Sequence, residues 1–288
     1  MERIYLLGPV LLLLATMSLA FVVYCGLCAV GRAPVVQGAK HNQLLGPFMG
    51  RYLVWLIGPI ERLLLGRVSP NLVTAISLAM CVWSGVEAGL GALGAATWIY
   101  ALAGILDVLD GRIARLTNRQ TKSGALFDSV SDRWGELFVF GGFAWYLRDT
   151  PWLLAVLAAL GSSMMVSYTR ARAEGLGLEL SGGMMQRAER ILLVTSGSLA
   201  AAWCASHADT AWLGAPILGG TMTACALGST ATALNRWLVA FRELTRREAA
   251  AREKAAVAVA APAVALPAPQ PHYKPIPAKL RESAELGL

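Results

Sequence analysis

The sequence is poor in charged residues, which make up only 15% of the chain. Soluble domains carry about 25%, so this composition argues against an ordinary soluble enzyme and against a disordered chain. Histidine and cysteine are also scarce, with three and five residues. Cys25 and Cys28 form a C-x-x-C pair, but it lies inside an apolar run, where small buried thiols are the simpler interpretation. A disulfide framework, a zinc site and a redox site are therefore disfavoured.

Long apolar runs are abundant, and 56% of the residues are hydrophobic. Six runs approach the roughly 20 residues that cross a bilayer as a helix. Residues 4–30 predict an additional N-terminal transmembrane helix, with a cleaved signal peptide as the alternative. Residues 46–66 mix apolar and charged side chains, as an amphipathic surface helix does. We expect an all-α polytopic membrane protein whose six core spans lie near residues 72–90, 93–116, 124–147, 152–168, 191–206 and 213–238.

The distribution of charge predicts the topology. The net charge is +7, yet lysine and arginine lie mostly in the segments between spans, so nucleic acid is not an expected partner. The positive-inside rule places these segments and the C-terminus in the cytoplasm, as in a protein of the inner or cell membrane. We expect four parts: an N-terminal anchor (1–32), a juxtamembrane amphipathic segment (33–68), a catalytic core domain (69–240) and a charged, then Ala/Pro-rich, flexible tail (241–288).

Four aspartates form the most informative pattern. Asp107 and Asp110 are one helical turn apart, and so are Asp128 and Asp132. The connection between the two pairs is short, which predicts antiparallel neighbouring helices with converging carboxylates. Such acids repel one another unless cations lie among them, and carboxylate oxygens suit Mg²⁺ or Mn²⁺. An aspartate at mid-bilayer costs about 2.5–3.5 kcal/mol, which indicates a functional reason for the cluster.

The residues around these acids indicate a phosphorylated ligand. Gly111, Ala114 and Gly124 leave space between the helices. Carboxylates, a divalent cation, small residues and arginine together favour chemistry on a diphosphate. A cation transporter is an alternative, although it predicts acids spread over several spans. Two further alternatives are a scaffold protein with an inactive site, and aspartates that only form ion pairs with arginines in cytoplasmic loops. The basic residues at the predicted cytoplasmic mouth are Arg112, Arg115, Arg119 and Lys122.

At this point the sequence resembles a known family. The stretch 107–132 matches the CDP-alcohol phosphotransferase signature D-x2-D-G-x2-A-R-x8-G-x3-D-x3-D at every fixed position. Residues 69–74, which read SPNLVT, resemble the family's T-P-N-x-x-T segment, with serine at the first position. The resemblance extends over about residues 69–190. It implies six core helices preceded by a surface helix, a homodimer, and an enzyme that releases CMP from a CDP-linked lipid such as CDP-diacylglycerol (CDP-DAG).

The resemblance also assigns roles to individual residues. It implies two metal ions, Mg²⁺ or Mn²⁺, held by Asp107, Asp110 and Asp128, with Asp132 helping to bind the second ion and acting as the general base. Gly111 and Arg115 would contact the CDP group. The weaker candidates for that group are Asn71, Thr74 and Thr121.

Two further segments bear on the acceptor alcohol. Residues 167–174 (SYTRARAE) and 182–190 (GGMMQRAER) resemble segments of prokaryotic phosphatidylinositol-phosphate synthases, in which basic residues bind the phosphate of inositol phosphate. Arginine stands at position 170, where those enzymes usually have lysine. We expect inositol phosphate as the acceptor, with glycerol 3-phosphate or another polyol as the alternative. The candidate phosphate-binding residues are Arg170, Arg172, Arg187 and Arg190.

Overall fold

The structure is a computed structural model that describes residues 2–32, 46–180 and 182–260. These ranges are helical, apart from turns and short links, and contain no strand, which confirms the all-α class. Part of the predicted juxtamembrane segment (33–45) and of the tail (261–288) lies outside the described residues. The helices are α1 (Glu2–Ala29), α2 (Gly46–Leu64), α3 (Pro70–Gly89), α4 (Leu93–Leu116), α5 (Lys122–Tyr146), α6 (Leu153–Gly175), α7 (Arg187–Ala205) and α8 (Gly214–Ala260), with a short 3₁₀ helix at Ala211–Leu213.

Four of the described helical stretches are long and apolar enough to cross a membrane. They are Pro70–Gly89, Leu93–Leu116, Leu153–Gly175 and Ala211–Ala256. Helix α5 is also long, but it carries several charged residues, including Asp128, Asp132 and Glu136. Helix α1 has a shorter described apolar stretch, Ala15–Ala29. The chain is thus a membrane protein whose charged helix α5 must bury its charges against its neighbours.

Helix α3 packs against both α4 and α5, and the main hydrophobic core extends from there towards α6, α7 and α8. Glycines allow the backbones of α3 and α5 to touch. A side chain at Gly142 would overlap the backbone of Gly85, and one at Gly85 would overlap the carbonyl group of Phe138. This close approach holds the acidic face of α5 at a defined distance from α3.

Helix α2 has the amphipathic character predicted for it. Tyr52 and Ile57 are buried, whereas Arg51 and Arg62 are exposed. Its aromatic side chains meet those of α1; the rings of Tyr24 and Trp55 are 5.4 Å apart, and the Tyr52 hydroxyl donates to the carbonyl of Met17. The other buried face of α2 packs on α4, and Ile57 there belongs to a second small apolar core that also includes Val73 of α3.

The described chain divides into two units, one ending at Phe241 and the other beginning at Arg242. Helices α1–α7 and the first part of α8 belong to the first unit. In the second unit the side chains of residues 242–256 are almost all exposed, and Glu243 pairs with Arg246 and Arg247, each at 2.9 Å. This division falls close to the predicted boundary between the catalytic domain and the tail.

Candidate active site

The N-terminus of α3 brings polar side chains to the site. Ser69 caps the helix by accepting the backbone N–H of Leu72 at 3.3 Å, and Pro70 lies in the first turn, where a backbone N–H is not needed. The helix therefore begins at a defined residue. One turn later, the hydroxyl of Thr74 donates to Oδ2 of Asp110 at 2.5 Å.

A short turn connects α4 to α5. Asn118 has a φ of 53°, a left-handed conformation that asparagine tolerates better than most residues. Thr121 then caps α5 by accepting the N–H of Gly124 at 2.9 Å. The sequence predicts that α4 and α5 are neighbours with converging carboxylates, and acids of the two helices do come together. Helix α3 packs closely against both α4 and α5. The carboxylates of Asp107 and Asp110 on α4 and of Asp128 on α5 meet in the space between these two helices.

Three of the four aspartates form a compact group. Asp107, Asp110 and Asp128 each place one carboxylate oxygen within 4.8 Å of the others. Asp110 is buried, and the other two are partly exposed. Three hard oxygen donors this close suit a divalent cation such as Mg²⁺ or Mn²⁺. Thr74 also fits such a site, since its hydrogen bond orients the Asp110 carboxylate.

Asp132 lies outside this three-carboxylate group and pairs with an arginine from α7. Nη1 of Arg187 contacts Oδ1 of Asp132 and lies 3.2 Å from Oδ1 of Asp107. The neighbouring Arg133 is also close to Asp132, with its Nη1 3.6 Å from Oδ2. Asp132 thus stands between the acids of α4 and the first turn of α7. A narrow recess at this point is lined by Thr74, Ser77, Leu78, Cys81, Asp107, Ser131, Asp132 and Arg187.

The candidate CDP-binding residues lie at the adjoining ends of three helices. A side chain at Gly111 would contact Nη1 of Arg115 at 3.4 Å, so Arg115 folds over this glycine. A side chain at Gly124 would lie 2.9 Å from the Thr121 hydroxyl and 3.3 Å from Oδ1 of Asn71. Two small residues therefore leave a space bordered by polar groups beside the carboxylates, although the roles assigned to these residues stay predictions.

The four candidate acceptor arginines have different surroundings. Arg170 and Arg172 are exposed near the end of α6, where Arg170 pairs with Glu174 at 2.8 Å. Arg187 contacts the carboxylates of Asp107 and Asp132. Arg190 is 1% exposed and donates to Oε1 of Glu136, from Nε at 3.1 Å and also from Nη2. The structure therefore brings Arg187 to the acids but places Arg190 inside the helix bundle.

Two charged side chains, Glu61 and Arg236, were not singled out from the sequence, and a third, Arg112, was expected at the cytoplasmic mouth. Glu61 of α2 accepts from Arg112, which lies buried in α4 instead of at an open mouth. Arg236 of α8 donates to the carbonyl of Gly182 at 2.8 and 3.0 Å and to that of Val166 at 2.9 Å, and so holds the segment before α7. In the sequence, each of these charged residues interrupts an apolar stretch, which indicates that it has a buried polar partner. The pattern does not predict which residue that partner is.

A model of the CDP-alcohol phosphatidyltransferase family matches residues 67–232. An archaetidylinositol phosphate synthase of Methanothermobacter thermautotrophicus is 41% identical over 127 residues, which are 44% of this chain and 63% of the relative, less than two thirds of its length. A phosphatidylinositol phosphate synthase of Streptomyces avermitilis is 33% identical over 237 residues, which cover 76% of this chain and 91% of the relative.

Crystal structures of a Mycobacterium tuberculosis phosphatidylinositol phosphate synthase have a similar fold. The structure with CDP-DAG bound has a TM-score of 0.56 at 30% identity, covering 65% of this chain and 94% of that one. The structure of that enzyme in complex with manganese and citrate also has a TM-score of 0.56 at 30% identity, covering 64% and 88%.

Proposed function

The chain belongs to the CDP-alcohol phosphatidyltransferase family, and on that premise we propose that it moves a phosphatidyl group from a CDP-linked lipid to inositol phosphate. The acceptor hydroxyl attacks the phosphorus that carries the lipid, the new P–O bond forms, and the bond to CMP breaks. The observation that carries this proposal is the group of Asp107, Asp110 and Asp128 beside the polar space at the ends of α3, α4 and α5. CDP-DAG in the mycobacterial neighbour supports the choice of donor.

These three carboxylates are proposed to hold a divalent cation, and the family resemblance implies a second ion with help from Asp132. When bound there, such ions would neutralise the charge of the diphosphate and of the leaving CMP. Manganese in the related structure and the three close carboxylates support this assignment. Thr74 orients Asp110, while Gly111 leaves space in which Arg115 can meet a phosphate.

Asp132 is proposed as the general base. It lies one helical turn beyond Asp128 and outside the three-carboxylate group. Its carboxylate is therefore not one of the three proposed ligands of the first cation. A carboxylate beside the acceptor hydroxyl can accept the proton as the new P–O bond forms. Arg187, which contacts Asp132, is suitably placed to bring a phosphorylated acceptor next to this base.

The acceptor is proposed to carry a phosphate. Arg170 and Arg172 are exposed at the end of α6, and Arg187 begins α7. Guanidinium groups bind phosphate through paired hydrogen bonds, which a neutral alcohol does not require. The relatives named above are inositol-type phosphate synthases, which favours inositol phosphate over glycerol 3-phosphate. The basic ends of these helices also support an active site that faces the cytoplasm.

The direct test follows CMP release by purified full-length protein with CDP-DAG, Mn²⁺ or Mg²⁺ and a panel of acceptors. We expect turnover with inositol phosphate, slower turnover with glycerol 3-phosphate, and none in the presence of EDTA. Turnover with uncharged alcohols alone would contradict the phosphate-binding proposal and leave the family chemistry intact. Full turnover in EDTA would contradict the metal proposal.

A further inference from the structure

Helix α2 is joined to the helices of the candidate site by apolar contacts and by a shielded ion pair. Ile57 packs with Val73 of α3 and with Leu109 and Ile113 of α4. One turn further along α2, Glu61 accepts a hydrogen bond from Nε of Arg112. The two side chains are only 12% and 8% exposed. Helix α2 therefore packs on α4, which supplies Asp110, and shares an apolar cluster with the start of α3, which supplies Thr74.

The ion pair determines the position of α2 more strictly than the apolar contacts do. Aliphatic side chains such as Ile57 can repack after a small shift of the helix at modest cost. A shift that separates Glu61 from Arg112 would take the shielded Glu61 carboxylate away from its charged partner, which is strongly unfavourable. The pair thus selects one register of α2 over α3 and α4.

That register affects the geometry of the carboxylates. Arg112 lies two residues after Asp110 in α4, and Thr74 lies one residue after Val73 in α3. The hydrogen bond from Thr74 to Asp110 joins α3 and α4 at the level where α2 crosses them. Hydrogen bonds of this kind orient metal ligands, and their loss typically weakens metal affinity about 10–100-fold.

We propose that Glu61 is a positioning residue for this site. Through Arg112 it holds α2 across α3 and α4, and in this way it keeps the Thr74–Asp110 hydrogen bond and the three carboxylates in register. The proposal rests on the proposed metal role of Asp107, Asp110 and Asp128. It gives the surface helix a function in catalysis, because metal affinity would depend on a residue that touches neither metal nor substrate.

The test measures Mn²⁺ binding to purified full-length protein directly, from the electron paramagnetic resonance signal of free Mn²⁺. Glu61→Gln should raise the dissociation constant of Mn²⁺ about 10-fold or more, the scale expected when an orienting partner is lost. Arg62→Gln is the matched control, since Arg62 is the exposed neighbour of Glu61 on α2, and it should bind Mn²⁺ like the wild type. In turnover assays Glu61→Gln should raise the Mn²⁺ concentration needed for half-maximal rate, with an unchanged KM for the acceptor.

Two further variants separate positioning from a general loss of stability. Arg112→Gln combined with Glu61→Gln should weaken Mn²⁺ binding no more than either change alone, because both remove the same pair. Glu61→Asp keeps the charge but withdraws it from Arg112, and it should have an intermediate affinity even if Glu61→Gln fails to fold. A monodisperse Glu61→Asp protein that binds Mn²⁺ like the wild type would overturn the proposal, as would an unchanged affinity in folded Glu61→Gln.

The experiment also distinguishes this inference from the proposed function. If Asp110→Asn weakens Mn²⁺ binding and Glu61→Gln does not, only the positioning role of Glu61 is lost. If the wild-type protein binds no Mn²⁺, or if Asp110→Asn binds it normally, the metal role itself is wrong and the inference is refuted with it.

Discussion

Among single residues, Asp132 differs from the other three acids of the motif in its surroundings. It lies against Arg187 and Arg133, whereas Asp107, Asp110 and Asp128 form the compact group. We expect Asp132→Asn to lower kcat by at least about 100-fold, the scale associated with loss of a general base. Binding of the CDP-lipid should weaken less than in Asp107→Asn or Asp128→Asn. The measurements are CMP release and binding of the CDP-lipid.

A matched control for Asp132 is Asp149→Asn, which removes an exposed carboxylate paired with Arg148. This change should leave turnover unaltered. Near-normal CMP release by the Asp132 variant would refute its role as the base. It would not affect the metal proposal, which EDTA and Mn²⁺ binding test separately.

The exposed arginines of α6 lead to a prediction about the acceptor. Arg172→Ala should raise the KM for inositol phosphate about 10–100-fold, equivalent to roughly 1.5–3 kcal/mol for a charged hydrogen bond. The KM for the CDP-lipid should hardly change, because that substrate is proposed to lie at the ends of α3, α4 and α5. Steady-state kinetics with each substrate varied in turn measures both constants. Arg148→Ala, an exposed arginine in the α5–α6 link, is the control; equal effects of the two changes would exclude a specific role for Arg172.

The buried pair of Glu136 and Arg190 predicts an effect on stability. Both side chains are 2% exposed. Glu136→Gln should lower the free energy of unfolding by about 3–5 kcal/mol, because it leaves the Arg190 guanidinium buried without a charged partner. The double change Glu136→Gln with Arg190→Met should be more stable than the single change, since no unpaired charge remains. Thermal unfolding in detergent measures both; a single variant as stable as the wild type would contradict this account.

For whole helices, the glycine contact between α3 and α5 is the most sensitive feature. Gly142→Ala would place a methyl group inside the backbone of Gly85, and overpacking of this kind typically costs 1–3 kcal/mol. We expect a lower unfolding temperature together with lower CMP release, because α5 carries Asp128 and Asp132. Tryptophan fluorescence during heating reports the first effect.

The neighbouring residue provides the control. A side chain at Gly141 would meet nothing within 4 Å, so Gly141→Ala should be neutral or slightly stabilising, as alanine is the better helix former by up to about 1 kcal/mol. If both variants lose stability equally, the loss comes from helix α5 itself and not from its contact with α3.

For the whole molecule, the composition of the tail beyond the division at Phe241 predicts that its end, residues 255–288, is dispensable for turnover. Residues 255–277 are rich in alanine and proline, a composition that builds no hydrophobic core. A chain that ends after Lys254 should insert into membranes and release CMP at the rate of the full-length protein. The assay compares both chains in the same detergent at equal protein concentration. Loss of turnover in a correctly inserted shortened chain would assign residues 255–288 a role in the reaction.

The sequence by itself determined the family, the helical class and the group of metal-binding candidates. These features depend on local patterns: apolar runs near the length of a bilayer crossing, a spacing of one helical turn between acids, and a short turn capped by Thr121. Residues three positions apart share one face of a helix, so Asp107 lies beside Asp110 regardless of how the helix packs. The sequence also predicts that the acids of α5 lie close to those of α4, because only a short turn separates the two helices.

Only the tertiary structure decided which charged residues meet. Glu61 and Arg112, Glu136 and Arg190, and Asp132 and Arg187 are each more than 50 residues apart. Sequence spacing fixes the direction of a side chain on its own helix, but its partner depends on how α2, α5 and α7 pack. The sequence therefore predicted four similar arginines for the acceptor, whereas packing left Arg172 exposed, brought Arg187 to the acids and buried Arg190. The same packing inserted α3 against both α4 and α5, because its glycines and serines allow closer approach than larger side chains would.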